Sequence, residues 1–190
     1  MKASHFALAA SLLFAAGCGN RAVDERIALL GDEDPNVPVG EFHRPGQPCL
    51  LCHGEYLQET PVMTVGGTVY AFPVGPNETP LPVKGVKVIM TDSFGETFSV
   101  GTNCAGNFFV REDQWKPAFP LRAELEYPVP GAEGSTKRVV MSTRISRDGS
   151  CAGCHAGPPN QGSPGWVTCA ETQIDPPFPP QEASCPGAKK

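Results

Sequence analysis

The chain is expected to fold as a mainly β protein: a small antiparallel β-sandwich flanked by loop-rich segments, with little helix. Three observations predict this. With 21 Gly and 21 Pro among 190 residues, few stretches run far enough without a breaker to make a three-turn helix. Between residues 62 and 145, six or seven short segments alternate apolar and polar side chains. Turn signals separate them at intervals of about ten residues, the spacing of a sandwich.

The elements follow in order. Residues 18–39 read as a tether, where 24–30 makes one short helical turn before Asp32, Asp34, Pro35 and Pro38 stop it. A first loop-rich segment, 40–61, precedes the sandwich, 62–145. Within the sandwich, residues 63–65 and 67–72 alternate, then 86–91, after which Ser93-Phe94-Gly95 turns the chain. Residues 97–100 run to a corner at Gly101-Thr102-Asn103, and 106–110 resume. Residues 121–127 alternate strictly and 137–143 close the set. From 146 onward, Pro158-Pro159, Pro164, Pro176-Pro177 and Pro179-Pro180 are expected to rule out regular structure. That tail is expected to wrap the rest as extended chain.

Three stretches carry a resemblance. Gly67-Thr68-Val69-Tyr70, then Pro82-Val83-Lys84-Gly85-Val86-Lys87-Val88, then Gly101-Thr102-Asn103-Cys104-Ala105-Gly106-Asn107-Phe108 are similar to the carboxypeptidase-regulatory-like (transthyretin-like) family. The resemblance covers about eighty residues and implies a small β-sandwich scaffold. It implies no catalysis, because function lives in sites grafted on folds.

Two five-residue runs carry the chemistry: Cys49-Leu50-Leu51-Cys52-His53 and Cys151-Ala152-Gly153-Cys154-His155. A Cys-x-x-Cys-His run is the attachment site of a c-type haem. Two thiols about one helical turn apart can clamp one macrocycle, and the adjoining histidine then stands under the iron. With 8 Cys and 4 His in 190 residues, one such run is expected roughly 0.007 times by chance. Zinc ribbons pair their Cys-x-x-Cys knuckles about 15–20 residues apart, whereas these two lie near opposite ends of the chain. Disulfide-only use would require no histidine after each pair. The chain therefore resembles the dihaem c-type cytochromes. That resemblance implies two covalently bound haems on Cys49, Cys52, Cys151 and Cys154, with His53 and His155 as proximal ligands.

The start of the chain bears on where this happens. Lys2 precedes an apolar stretch at 6–16 that is too short to span a bilayer and reads as a secretory signal. It ends in Ala15-Ala16-Gly17-Cys18, which resembles the lipobox of bacterial lipoproteins and implies cleavage after residue 17 and lipidation of Cys18. The alternative is an ordinary signal cleaved near Ala16. Either way the chain is expected to be exported, and lipidation would anchor it at the periplasmic or outer membrane surface of a bacterium. A formal charge of −5 argues against nucleic acid as partner and is compatible with docking on redox proteins.

Cys104, Cys169 and Cys185 remain. Cys169–Cys185 would staple the tail to itself and is the favoured pairing; Cys104–Cys169 or Cys104–Cys185 would pin the tail to the sandwich. The sixth iron position separates an electron carrier from a catalyst. Outside the two runs and the leader the only histidine is His43, and the candidate methionines are Met63 and Met141, with Met90 behind them. Arg44, Arg144 and Arg147 stand where they could pair with haem propionates, and Tyr70, Trp166 and Phe178 where they could pack on porphyrin faces. The leading expectation is a carrier of single electrons between redox partners. The alternatives are a haem enzyme with an open iron, a peroxidase or small-oxyanion reductase, and a β-sandwich binding module with ancillary haems.

Overall fold

Seven strands form in the computed structural model, which describes residues 20–159 and 162–188; the expected leader 1–17 and Cys18 lie outside them. The chain divides into two units, residues 1–31 and 32–190. The described part of the first is helix α1 (Arg21–Ala28), capped by Asn20, whose side chain accepts the Val23 N–H at 3.4 Å. An exposed Arg21–Glu25 pair spans one of its turns, and α1 has no buried residue. No helix among the described residues is long and apolar enough to cross a membrane.

The second unit is the sandwich. Strands β1 (Met63–Tyr70), β4 (Asn107–Arg111) and β7 (Val167–Thr168) form one sheet in the order β4-β1-β7. Strands β2 (Lys87–Thr91), β3 (Thr97–Gly101), β5 (Arg122–Pro128) and β6 (Thr136–Val140) form the other, in the order β3-β2-β5-β6. Alternation decides which side chains meet between them. Val65, Val69, Phe108 and Val110 point inward from the first sheet, and Val88, Met90, Leu125 and Tyr127 from the second. Helix α2 (Leu50–His53) and a 3₁₀ turn, Cys151–Gly153, are short and lie in the two Cys-x-x-Cys-His runs.

The corners that carried the family resemblance are laced by side-chain hydrogen bonds. The Thr102 hydroxyl donates to the Val83 carbonyl at 2.7 Å and accepts from the Val86 N–H at 3.0 Å. Asn103 accepts from the Ala105 and Asn107 N–H groups at 2.9 and 3.1 Å. Gly106 sits at φ +76°, where a Cβ would meet the Val69 carbonyl at 2.5 Å, so no other residue fits this turn.

Two expectations are corrected. The tail is not without regular structure: Val167–Thr168 pairs in parallel with Val69–Tyr70, and the Cys169 and Ala170 N–H groups continue onto the Tyr70 and Ala71 carbonyls at 2.9 and 3.0 Å. The sheets are accordingly not purely antiparallel. The disulfide joins Cys104 to Cys185, not Cys169 to Cys185. The reason is burial: the backbone pairing beside β1 turns Cys169 into the core, fully buried and unbridged, while Cys185 reaches the sandwich corner that carries Cys104.

Candidate functional site

The first Cys-x-x-Cys-His run packs on the outer face of β1. The chain before it is laced to that face: the Gly46 N–H donates to the Thr68 hydroxyl at 2.7 Å, and the Asn107 amide donates to the Glu41 and His43 carbonyls at 3.2 and 3.1 Å. Arg44 bends the loop through a left-handed φ of 49°. Its side chain holds Glu33 at 3.1 Å and Gln47 at 2.8 Å, contacts that offset the cost of that backbone. Cys49 then opens α2, whose one turn closes through Gly54 N–H to Leu50 carbonyl, at 3.0 Å.

The second run reaches β1 from its edge. The Gly66 N–H donates to the Gly149 carbonyl at 3.0 Å, and Ser150 bridges in parallel to Gly66. The turn Cys151–Gly153 follows, and the His155 N–H closes onto the Cys151 carbonyl at 2.8 Å. Beside it lies a cavity of about 470 Å³, within the range of small-molecule and cofactor sites. Its walls combine the run itself (Cys151, Cys154, His155) with Val88, Phe108 and Leu125 of the core, Met141, and Trp166. Arg144 and Arg147 line it as well and are exposed.

The imidazoles share one arrangement. His155 Nδ1 lies 2.8 Å from the Gly165 carbonyl, and His53 Nδ1 lies 3.0 and 3.1 Å from the Glu59 and Pro61 carbonyls. His43 Nδ1 contacts the Gly40 carbonyl. A carbonyl oxygen only accepts, so each Nδ1 carries a proton; in the neutral imidazole Nε2 then keeps its lone pair, the tautomer that ligates metals. His43 and His53 face one another with ring centres 5.8 Å apart.

None of Cys49, Cys52, Cys151 and Cys154 is bridged. Burial pushes the Cys49 thiol up to about 11 and the Cys151 thiol up to about 12, the latter also raised by the neighbouring Cys49 charge. Burial raises Cys52 too, against the opposing pull of Arg44. Cys49 and Cys151 therefore present protonated thiols at neutral pH, which oxidise slowly. Among the described residues no three His, Cys, Asp or Glu side chains are grouped to hold a bare metal ion.

The remaining candidates divide. Met141 shares the cavity with His155, whereas Met63 and Met90 are buried in their strands and are not among the residues lining it. Trp166 lines the cavity and packs edge-on against Tyr70 at 5.2 Å. Phe178 is core packing, 5.7 Å from Tyr127. In the sequence Gly67 marks only the opening of a strand; the contacts that Gly66, Gly67 and the Gly165 carbonyl make with the runs are not legible there, although two glycines inside an otherwise good strand signal a close approach. Compared with known proteins, the chain matches no family model, no curated protein and no solved structure.

Proposed function

We propose that this protein is an exported, lipid-anchored dihaem c-type cytochrome that passes single electrons between redox proteins at the periplasmic or outer membrane surface of a bacterium. One observation carries the reading. Each of His53 and His155 directly follows a pair of unbridged thiols and has its Nδ1 tied to a backbone carbonyl, leaving Nε2 to ligate. Cys49 and Cys52 would hold one haem, Cys151 and Cys154 the other, with His53 and His155 as proximal ligands.

When bound, haem supplies a reversible one-electron couple at iron. The chain's own residues bind, orient and exclude water. The Gly165 carbonyl fixes the His155 ring, and Val88, Phe108, Leu125 and Trp166 give the second site apolar walls. His43 suits the first site as distal ligand. His43 and His53 face one another with ring centres 5.8 Å apart, so the two imidazoles would together hold the first iron. Met141 suits the second site, since it lines the cavity with His155. A methionine ligand raises a haem's potential, so the two sites would differ. Export rests on the leader and Cys18, and the charge of −5 suits docking on basic redox proteins.

The test is expression in a bacterium with working haem-maturation machinery, followed by intact mass and absorbance after denaturation. Two covalent haems per chain and a lipid mass on Cys18 are expected. A mature protein without a covalent macrocycle overturns the reading. Turnover of peroxide or nitrite, with carbon monoxide binding to the reduced protein, would replace the carrier with the enzyme.

A further inference from the structure

We propose that Gly66 and Gly67 are positioning residues that seat the two haem-attachment runs back to back across one strand, so that the two haems form an interacting pair and not two independent centres. The proposal rests on haem attachment at both runs.

Neither glycine is needed for backbone freedom, since both lie in β1 without a left-handed φ. What each lacks is a Cβ, and the space a Cβ would occupy is filled by a motif cysteine. At Gly66 it would lie 3.1 Å from Cys49 Cβ and 3.3 Å from Cys49 Sγ. At Gly67 it would lie 2.7 Å from Cys151 Cβ and 3.0 Å from Cys151 Sγ. Carbon atoms pack best about 3.5–4.0 Å apart, so both sites exclude any larger residue unless a run moves.

Consecutive strand residues point to opposite faces. Gly67 shares its face with Val65 and Val69, which are core, and pairs with the core residue Phe108. Gly66 shares its face with Thr68, which holds the loop before the first run. The first cysteines of the two runs are thus separated by one strand's thickness, although they come from opposite sides of the sandwich sequence.

A second contact joins the same two segments. A Cβ on Gly46, in the loop before the first run, would lie 3.0 Å from Trp166 Cζ3. Trp166 lines the second cavity, and its neighbour Gly165 holds His155. Gly149 adds a third close approach, since a Cβ there would strike the Thr64 carbonyl at 2.0 Å.

The experiment uses the full dihaem protein, shown by mass to carry both groups. It is compared with a single-haem form made by Cys151→Ser with Cys154→Ser. At about ten ångströms and an effective dielectric near 20, one unit of charge changes its neighbour's reduction equilibrium on the order of tenfold, which is about 59 mV for one electron. The first haem's midpoint is expected to move by about that much when the second is removed. The oxidised dihaem form should also show magnetic interaction between its irons by electron paramagnetic resonance. Gly67→Ala should disturb the second site more than Gly66→Ala disturbs the first, following the 2.7 and 3.1 Å approaches. Two haems confirmed by mass, with an unmoved midpoint and no magnetic interaction, overturn the pair and leave the cytochrome reading standing. A chain carrying no haem at all overturns both.

Discussion

His155 donates its Nδ1 proton to the carbonyl of Gly165 at 2.8 Å, so the ring that would face iron is aimed by the backbone ten residues on. Gly165 occupies φ +90°, and a Cβ there would meet Pro159 Cγ at 2.8 Å. Gly165→Ala should therefore shift that carbonyl and loosen the imidazole. Bonds to the outer nitrogen of a ligating histidine tune the metal. Redox titration of the dihaem variant should show one midpoint displaced and the other where it was. Two unmoved midpoints would show that this contact does not tune the site.

The axial assignment is tested by truncating each distal candidate. Met141→Leu keeps volume and should cost less than about 1.5 kcal/mol of stability. It should abolish the near-infrared methionine–iron band, lower one midpoint and admit carbon monoxide at one iron. His43→Ala should instead open the first site, leaving the methionine band intact. If Met141→Leu leaves the near-infrared spectrum unchanged, the cavity it shares with His155 is not where its sulfur acts.

The Cys104–Cys185 bridge closes a loop of 81 residues. In the chain-entropy model such a loop is worth roughly 4–5 kcal/mol, against about 3 for a 15-residue one. Cys104→Ser should lower the unfolding free energy by up to that amount and release the tail to protease, whereas Cys169→Ala should leave the tail protected. Denaturant melts and limited proteolysis of the two variants distinguish them.

That bridge also marks the limit of what was readable beforehand. The strands were legible because alternation is local: 86–91 became Lys87–Thr91 and 121–127 became Arg122–Pro128. Val167–Thr168 was not, because two residues carry no period and prolines surround them. Its existence depends on the free edge of β1 near Val69, a fact of the sheet. The same pairing buries Cys169 and so decides which cysteine is left for Cys104. Likewise the two Cys-x-x-Cys-His runs were plain in the sequence, but their meeting at Gly66 and Gly67 was not, since nothing in either run specifies the strand it will rest on. His43 was a candidate without a site until the turn at Arg44 brought it to His53.

Acid should unfold the sandwich partly through Asp92, at the turn between β2 and β3. Burial by itself would raise this carboxyl, but N–H groups outweigh it: Ala118 donates to Oδ2 at 3.1 Å, and Glu96 and Phe94 donate to Oδ1 at 2.9 and 2.8 Å. The net effect holds its folded pKa below the ordinary carboxylate value. The unfolded chain then binds the proton more tightly than the folded one, so stability rises with pH across that interval. The contribution is complete above the unfolded pKa and disappears as pH falls through the folded one. Asp92→Asn removes the charge without removing the side chain. Its melting temperature should fall below the parent's at neutral pH, and the two curves should approach one another as the parent's carboxyl protonates. A difference that stays constant down to the most acid pH at which both fold would mean that the turn is held by shape alone, and that the charge on Asp92 contributes nothing.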